Sequence, residues 1–172
     1  MGAGKTTIGK QLARSLKWEF IDSDHEIVAR TGAQIPIIFE IEGEAGFRRR
    51  EKRVLDDLTQ RQQLVLATGG GAVLDEDNRR LLSERGVVIY LHASAEQLYK
   101  RTARDRNRPL LQTEDPQQRI RELVAQREPL YREVADIVME TGEENVRAVV
   151  RKLMGHLRRL GVVMERGRHK AR

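Results

Sequence analysis

Residues 2–7 read Gly-Ala-Gly-Lys-Thr-Thr, and a stretch with helical periodicity follows at once. This hexapeptide matches the second half of the phosphate-binding pattern G-x-x-x-x-G-K-[ST]. In such a turn the backbone N–H groups point inward at anionic oxygens, and the helix that follows adds unpaired N–H groups and the positive end of its dipole. The opening residues therefore predict a nucleotide phosphate site in an α/β domain.

Each residue of this turn has an expected role. Lys5 would reach the β- and γ-phosphates, the Thr6 hydroxyl would ligate the Mg²⁺ that bridges them, and Thr7 would add a phosphate contact. The competing interpretation is a glycine-rich N-terminus with a chance lysine, which the amphipathic helix that follows makes weaker. The expected ATP contacts in the turn are Gly2, Ala3, Gly4, Lys5, Thr6 and Thr7.

The start of the chain falls inside this motif. The first glycine of the full pattern would lie two residues before Met1, and no residues precede the turn to form the strand that normally leads into it. We therefore expect that the N-terminus is truncated or that the start codon lies further upstream. A central strand pairs on both sides, so its absence would weaken folding or ATP binding.

Length and composition indicate one domain. The chain has 172 residues, of which 39% are hydrophobic and none is cysteine, and its mean hydropathy is -0.59. No apolar run approaches the roughly 20 residues that a spanning helix requires. The lack of cysteine excludes disulfides and thiolate metal sites. We expect a cytoplasmic protein with no membrane partner.

The positive charge is concentrated at the C-terminus. The formal net charge is +6, while residues 158–172 hold six Lys or Arg and one Glu. Residues 1–157 are thus nearly neutral, and aromatic residues make up only 4% of the chain, too few for a base-stacking platform. The sequence predicts one domain over 1–157, a basic tail over 158–172 to which no function is assigned, and no nucleic-acid partner.

Short apolar runs alternate with helical periods along the chain. Such alternation predicts a parallel sheet whose strands are connected by helices. The predicted strands are 18–22, 64–68, 87–91 and 136–140. The predicted helices are 5–16, 43–62, 76–85, 95–105, 116–127 and 144–160.

Polar and glycine-rich segments follow two of the predicted strands. Asp22 and Asp24 come after the first, and glycines 69–71 come after the second. Ligands of open α/β sheets bind at the carboxyl ends of strands, so these residues are expected at the reaction site. One Asp could organise Mg²⁺ through a water and the other could hold or deprotonate an alcohol. The alternatives are an N-cap for a helix near His25 and a flexible turn.

Three arginine-containing segments complete the candidate site. One arginine of 48–50 could point into the cleft and bind a carboxylate, while Arg49 and Arg50 fit a solvated face. Residues 100–108 carry five basic groups and one acid before a proline, which favours a lid over phosphates although an exposed loop is possible. Arg127 precedes a predicted helix break at Pro129 and is a second candidate anion ligand.

Together these motifs resemble the shikimate kinase family, which belongs to the P-loop kinases related to nucleoside monophosphate kinases. The resemblance runs from Met1 to about Leu157 and rests on GAGKTT, FIDSD, GEAGFRRRE, LATGGGAV, RPLL and RxPLYxEVAD. It implies a three-layer α/β P-loop kinase fold with parallel strand order 2-3-1-4-5, strand 1 being absent from this chain. It also implies a substrate-binding region at about 24–63 and a lid at about 104–116.

The same resemblance implies individual roles. Lys5, Asp24 and Arg108 would be catalytic, with Arg108 on the ATP phosphates and Arg101 near the adenine. Thr6 would bind Mg²⁺ directly and Asp22 through a water. A further adenine contact would fall near Glu144, where the match is weak. The implied shikimate contacts are Asp24, Arg48, Gly69, Gly70, Gly71 and Arg127, with Gly70 the most direct of the three glycines.

The implied reaction is ATP-dependent phosphorylation of the shikimate 3-hydroxyl by a monomeric enzyme of chorismate and aromatic amino acid biosynthesis. Two alternatives stay open from the sequence. The chain could be a kinase of another small polyol acid such as gluconate. It could also be a non-catalytic protein that binds nucleotides or nucleic acid, given the missing strand and the basic tail.

Overall fold

A computed structural model of the chain describes residues 2–102, 113, 115–142 and 144–163. Within these ranges the helices are α1 Lys5–Leu16, α2 Ser23–Thr31, α3 Ile35–Leu58, α4 Glu76–Arg85, α5 Ala95–Thr102, α6 Pro116–Val134 and α7 Val146–Arg159. The strands are β1 Glu19–Asp22, β2 Leu64–Ala67, β3 Ile89–His92 and β4 Ile137–Glu140, and a 3₁₀ turn covers Ala72–Leu74.

The four strands form two parallel pairs. In the first pair β1 lies beside β2, with Asp22 opposite Ala67. In the second pair β3 lies beside β4, with His92 opposite Glu140. A sheet of order 2-3-1-4-5 without its first strand contains these same two pairs, so the predicted α/β class and strand neighbours are confirmed.

Two hydrophobic clusters hold helices against the strands. In α7, Val149, Leu153 and Leu157 recur every four residues and form one apolar face, as an amphipathic helix requires. These three residues are at most 4% exposed and pack with Ile8 and Leu12 of α1 and with β4. The second cluster joins α2, α3 and their neighbours through Ile27, Ile38, Phe47, Val54 and Leu58. The first cluster fixes the helix that carries the phosphate turn.

Helix α3 is longer than predicted and is kinked. The prediction placed its start at residue 43, whereas it begins at Ile35 and bends at Gly43, whose φ of 68° is the left-handed region that glycine adopts without strain. A side chain on Gly46 would collide with Glu42 across the bend. The Arg50 guanidinium also clamps the bend, because it donates to both carboxylate oxygens of Glu42.

The predicted break at Pro129 is wrong. Helix α6 continues through this proline to Val134. A proline inside a helix removes one N–H donor and leaves the carbonyl four residues earlier without its helical partner. Here Pro129 and Ala125 are both exposed, so water can satisfy the freed carbonyl. Arg127 consequently lies inside a continuous helix.

The C-terminal end of the described chain is packed. Helix α7 extends to Arg159, and Val162 and Val163 lie against the first hydrophobic cluster. The region predicted as a basic tail from residue 158 thus begins in the last turn of α7, and residues 164–172 lie outside the described residues. Each helix in the described ranges is too short or too polar to cross a bilayer.

Candidate active site

The phosphate turn has the backbone geometry that its sequence predicts. Gly2 and Gly4 have φ values of 67° and 85°, both in the left-handed region. Gly4 is the N-cap of α1, so no side chain caps this helix, and its first turn contains no acidic residue. The first N–H groups of α1 thus lack a side-chain cap, as an anion-binding helix terminus requires. Lys5 is the first residue of this helix.

A hydrogen bond joins this turn to the acidic segment after β1. The Thr6 hydroxyl donates to Asp22 Oδ2 at 3.2 Å. The other oxygen of Asp22 accepts from the backbone N–H of Asp24 at 3.1 Å and so caps α2. Asp22 therefore fits both predicted interpretations, because one oxygen caps α2 and the other faces the phosphate turn.

The two oxygen donors of Thr6 and Asp22 fit Mg²⁺. This cation prefers hard oxygen ligands and is usually held by one or two side chains together with substrate phosphates. Among the described residues no group of three or more His, Cys, Asp or Glu could hold a metal ion. Two protein ligands fit a Mg²⁺ ion that binds together with a nucleotide better than an ion enclosed by the protein alone.

Asp24 is poised as an acceptor. Burial raises the pKa of its carboxyl, the neighbouring charge of Asp22 adds to the rise, and Lys5 and Arg48 oppose it. Its Oδ1 is buried and has no hydrogen-bond partner among the described residues. An unpartnered buried carboxylate oxygen is costly unless a ligand satisfies it, so this atom is available to a substrate hydroxyl.

Arg48 reaches the site as predicted, and a residue that the sequence did not single out holds it there. Its Nη1 donates to Glu51 Oε2 at 2.6 Å, and its Nη2 donates to Glu44 Oε1 at 3.0 Å. The Glu51 side chain is 0% exposed. Burial raises the pKa of Glu51, while Arg48 opposes the rise. The three-residue spacing within FRRRE was the available signal, because such pairs share one helix face.

The sequence predicts that one arginine of 48–50 enters the site and that Arg49 and Arg50 lie on a solvated face, and their positions agree with this. Arg49 is exposed. Arg50 forms an ion pair with Glu42 on the outside of the kink and is 41% exposed. Only Arg48 has a mostly covered guanidinium that faces the acidic pair.

The glycine turn after β2 lies among these charged groups. A Cβ at Gly69 would stand 2.8 Å from Glu51 Oε1 and 2.9 Å from Asp24 Oδ1. A side chain at Gly71 would collide with the Arg48 guanidinium. A side chain at either position would therefore displace the charged groups of the site from the places they occupy.

Arg127 completes the site from α6. It is 7% exposed, and its Nε has no hydrogen-bond partner among the described residues. Its positive charge lowers the pKa of Glu51, against the larger effect of burial. A buried guanidinium with an unfilled donor is a strong candidate to bind a carboxylate.

A single cavity connects the phosphate side with the acceptor side. Its volume is about 110 Å³, and its lining is mainly apolar. Lys5 lies on its wall together with Gly69, Gly70, Arg127 and Tyr131. Residues of three separate motifs, the phosphate turn, the glycine turn and Arg127, thus line one cavity.

The residues predicted near the adenine, Arg101 and Glu144, do not line this cavity. The Arg101 guanidinium donates to the carbonyls of Thr141 at 2.5 Å and Gly142 at 2.8 Å, and it lies 3.4 Å from the Gly2 carbonyl. It therefore bridges the phosphate turn and the loop after β4. Glu144 forms an ion pair with Lys152. Arg108 and most of the predicted lid lie outside the described residues.

A phosphate turn, an acidic pair at a strand end and two arginines beside one glycine turn define a P-loop kinase of a small acidic molecule. The shikimate kinase family model matches residues 1–158. The chain therefore belongs to the shikimate kinase family.

Relatives and solved structures agree with this assignment. The chain is 62% identical to the shikimate kinase of Bordetella pertussis over 157 residues, which cover 91% of this chain and 74% of the relative. It is 58% identical to that of Burkholderia lata over 163 residues, which cover 95% and 89%. A solved structure of shikimate kinase from Acinetobacter baumannii in complex with shikimate is 52% identical to this chain and superposes on it with a TM-score of 0.89. The match covers 96% of this chain and 91% of that one.

Proposed function

We propose that this protein transfers the γ-phosphoryl group of ATP to the 3-hydroxyl of shikimate, giving ADP and shikimate 3-phosphate for chorismate and aromatic amino acid biosynthesis. The observation that carries the proposal is the convergence of Asp24, Arg48 and Arg127 around the glycine turn. The Lys5 charge acts on Asp24, and Lys5 lines one cavity together with Arg127. The family's monomeric state and cytoplasmic location belong to this proposal.

Lys5 serves the phosphate end of the reaction. It lies at the start of α1, where the helix dipole and the N–H groups of the turn favour negative charge. Its ammonium and the amides of the turn hold the phosphates and stabilise charge on the transferred group. Arg108, from the predicted lid, adds a second cation there.

Asp24 serves the acceptor end. Its raised pKa makes it a better proton acceptor than an ordinary aspartate, and its buried Oδ1 has an unused lone pair. It orients the 3-hydroxyl for in-line attack and takes the hydroxyl proton as the new bond to phosphorus forms. The leaving oxygen stays with ADP.

Arg48 and Arg127 select an acidic substrate. Two guanidinium groups can bind one carboxylate through several charge-assisted hydrogen bonds, which a neutral sugar cannot match. Both interact with Glu51, whose negative charge offsets the repulsion between the two guanidinium groups. The Gly70 and Gly71 amides add neutral donors beside them.

Mg²⁺ is the proposed cofactor, and Thr6 and Asp22 would hold it. When bound, this cation neutralises charge on the β- and γ-phosphate oxygens. Thr6 and Asp22 are already connected by a hydrogen bond, so the protein presents both oxygens from fixed positions.

A direct assay tests the proposal. Purified protein with ATP and Mg²⁺ is offered shikimate and, in parallel, gluconate, and phosphorylated product is measured by mass spectrometry. Shikimate 3-phosphate should accumulate with ADP in a 1:1 ratio. Equal or greater turnover of gluconate, or ADP without a phosphorylated acid, would reject the assignment to shikimate.

A further inference from the structure

The first two peptide groups of the glycine turn are fixed by nearby hydrogen bonds. The Gly69 N–H donates to Ser23 Oγ at 3.1 Å. The Gly69 carbonyl accepts from the Ala72 N–H at 3.1 Å. Because Ser23 is 0% exposed, the first of these bonds is shielded from water. The peptide groups on both sides of Gly69 therefore have a defined orientation.

The next peptide group, between Gly70 and Gly71, is held from α6. The Tyr131 hydroxyl donates to the Gly70 carbonyl at 2.5 Å. Both residues that flank this peptide group are glycines, so no Cβ resists its rotation. Of the three peptide groups, it is the one that lies between two glycines, and its carbonyl is held by a side chain of α6.

Tyr131 itself is firmly held. Its ring stacks on that of Tyr90, with the centroids 4.9 Å apart and 29° between the planes. Burial raises the pKa of Tyr131, so its hydroxyl stays protonated and able to donate. It follows Arg127 by four residues, about one turn of α6, and both side chains line the cavity.

We propose that Tyr131 is a positioning residue that locks the Gly70–Gly71 peptide group in the orientation needed to bind the acid substrate. The proposal rests on the proposed function, since it names how the same site is kept ready for the carboxylate. In a trans peptide the C=O and N–H point in opposite directions. With the carbonyl held by Tyr131, the Gly71 N–H must point in the opposite direction within the peptide plane, away from Tyr131.

This orientation matters because the Arg48 guanidinium packs directly against Gly71. The Gly71 N–H and the guanidinium are then neighbouring donors, and one anionic group can accept from both. A flipped peptide would instead turn a carbonyl oxygen toward the site. That oxygen would repel a carboxylate and would leave the donor unused.

The test compares Tyr131→Phe with Tyr90→Phe. The first change removes the hydroxyl that holds the Gly70 carbonyl and that also interacts with the Arg127 side chain. The second keeps the ring stack and removes a hydroxyl that makes no hydrogen bond among the described residues. Tyr131→Phe should raise the KM for shikimate about tenfold, with kcat lowered less than threefold and the KM for ATP within about twofold of wild type. Tyr90→Phe should match wild type in all three.

A second measurement does not depend on turnover. Glycine-selective nitrogen-15 labelling and relaxation dispersion should show microsecond-to-millisecond exchange at Gly71 in Tyr131→Phe, and none there in wild type or Tyr90→Phe. This readout separates the role of Tyr131 from the proposed reaction, because a wild-type protein that fails to phosphorylate shikimate would contradict only the latter.

Three results would overturn the role of Tyr131. One is an unchanged shikimate KM in Tyr131→Phe. Another is an equal loss of affinity for ATP and shikimate, which indicates general damage. The third is exchange at Gly71 in the unsubstituted protein, a measurement that requires no variant.

Discussion

The Glu51 carboxylate is fully buried and accepts a 2.6 Å hydrogen bond from Arg48, while the second acidic partner of Arg48, Glu44, is 54% exposed. Two ion pairs to the same guanidinium thus differ chiefly in burial. A buried pair is costly to break because it leaves an uncompensated charge, whereas an exposed pair contributes little. The buried Glu51, and not the exposed Glu44, therefore sets the orientation of Arg48.

Glu51→Gln should raise the KM for shikimate by about tenfold with little change in the KM for ATP. The amide keeps the size of the side chain but removes the charge that orients Arg48, and charge-assisted hydrogen bonds are roughly twice as strong as neutral ones. Steady-state kinetics with each substrate varied would measure this. Glu44→Gln is the matched control and should stay within about twofold of wild type; equal effects of the two changes would show that burial is not decisive.

Arg48→Ala should weaken shikimate binding far more than ATP binding. It removes a charged donor from the proposed carboxylate site, a loss of about 10- to 100-fold in affinity. Isothermal titration with shikimate and with ADP would separate the two sites. Arg49→Ala, a change at the exposed neighbour, should leave both affinities intact. A matching loss for both ligands in Arg48→Ala would argue against the carboxylate role.

Lys5→Ala should lower kcat by about 10²-fold or more, the scale seen when one transition-state donor is removed. The cause is the loss of the cation at the phosphate turn. Rapid-quench measurement of shikimate 3-phosphate would follow the chemical step. Lys10→Ala, on the exposed side of the same helix, should retain turnover. Unchanged turnover in Lys5→Ala would contradict the phosphate-turn assignment.

Asp24→Asn should lower kcat by about 10²-fold or more while stabilising the fold at neutral pH. The pKa of Asp24 is raised in the folded protein, so the folded state binds this proton more tightly than the unfolded chain, whose value is 3.8. The ionised carboxyl therefore costs stability, and this cost grows as pH rises from the unfolded value through the folded value.

Thermal unfolding from about pH 2.5, below the unfolded pKa, to pH 8 would measure this trade-off. The midpoint of Asp24→Asn should exceed that of wild type by about 2–4 °C near pH 7, the shift expected for about 1 kcal/mol in a chain of this size. The two curves should converge at the acidic end, where wild-type Asp24 is protonated in both states. A variant less stable than wild type at pH 7 would show that ionised Asp24 stabilises the fold.

The sequence predicted the strands well because each is a short, strongly apolar run between helical periods. All four observed strands start or end within two residues of their predicted bounds. Helix limits were harder where glycine and proline interrupt the pattern. At Gly43 the sequence does not distinguish the start of a helix from a kink within one. At Pro129 it does not distinguish a break from a tolerated proline, because exposure of the freed carbonyl depends on tertiary structure.

Part of the site could also be predicted from the sequence, because its main residues belong to short local motifs. The structure brings Lys5, Asp24, Arg48 and Arg127 together as their motifs suggested. Glu51 supports Arg48 through a pair within α3, which the three-residue spacing in FRRRE indicates. Tyr131 instead acts through a contact to Gly70, which belongs to another part of the fold. Such contacts have no signature in local periodicity.

Helix α6 carries both Arg127 and Tyr131, one turn apart and on the same rigid rod. The cation that grips the acid and the hydroxyl that aligns the glycine turn therefore move together. If α6 slides or tilts, acid capture and turn alignment are lost in a single step, and neither can be adjusted independently.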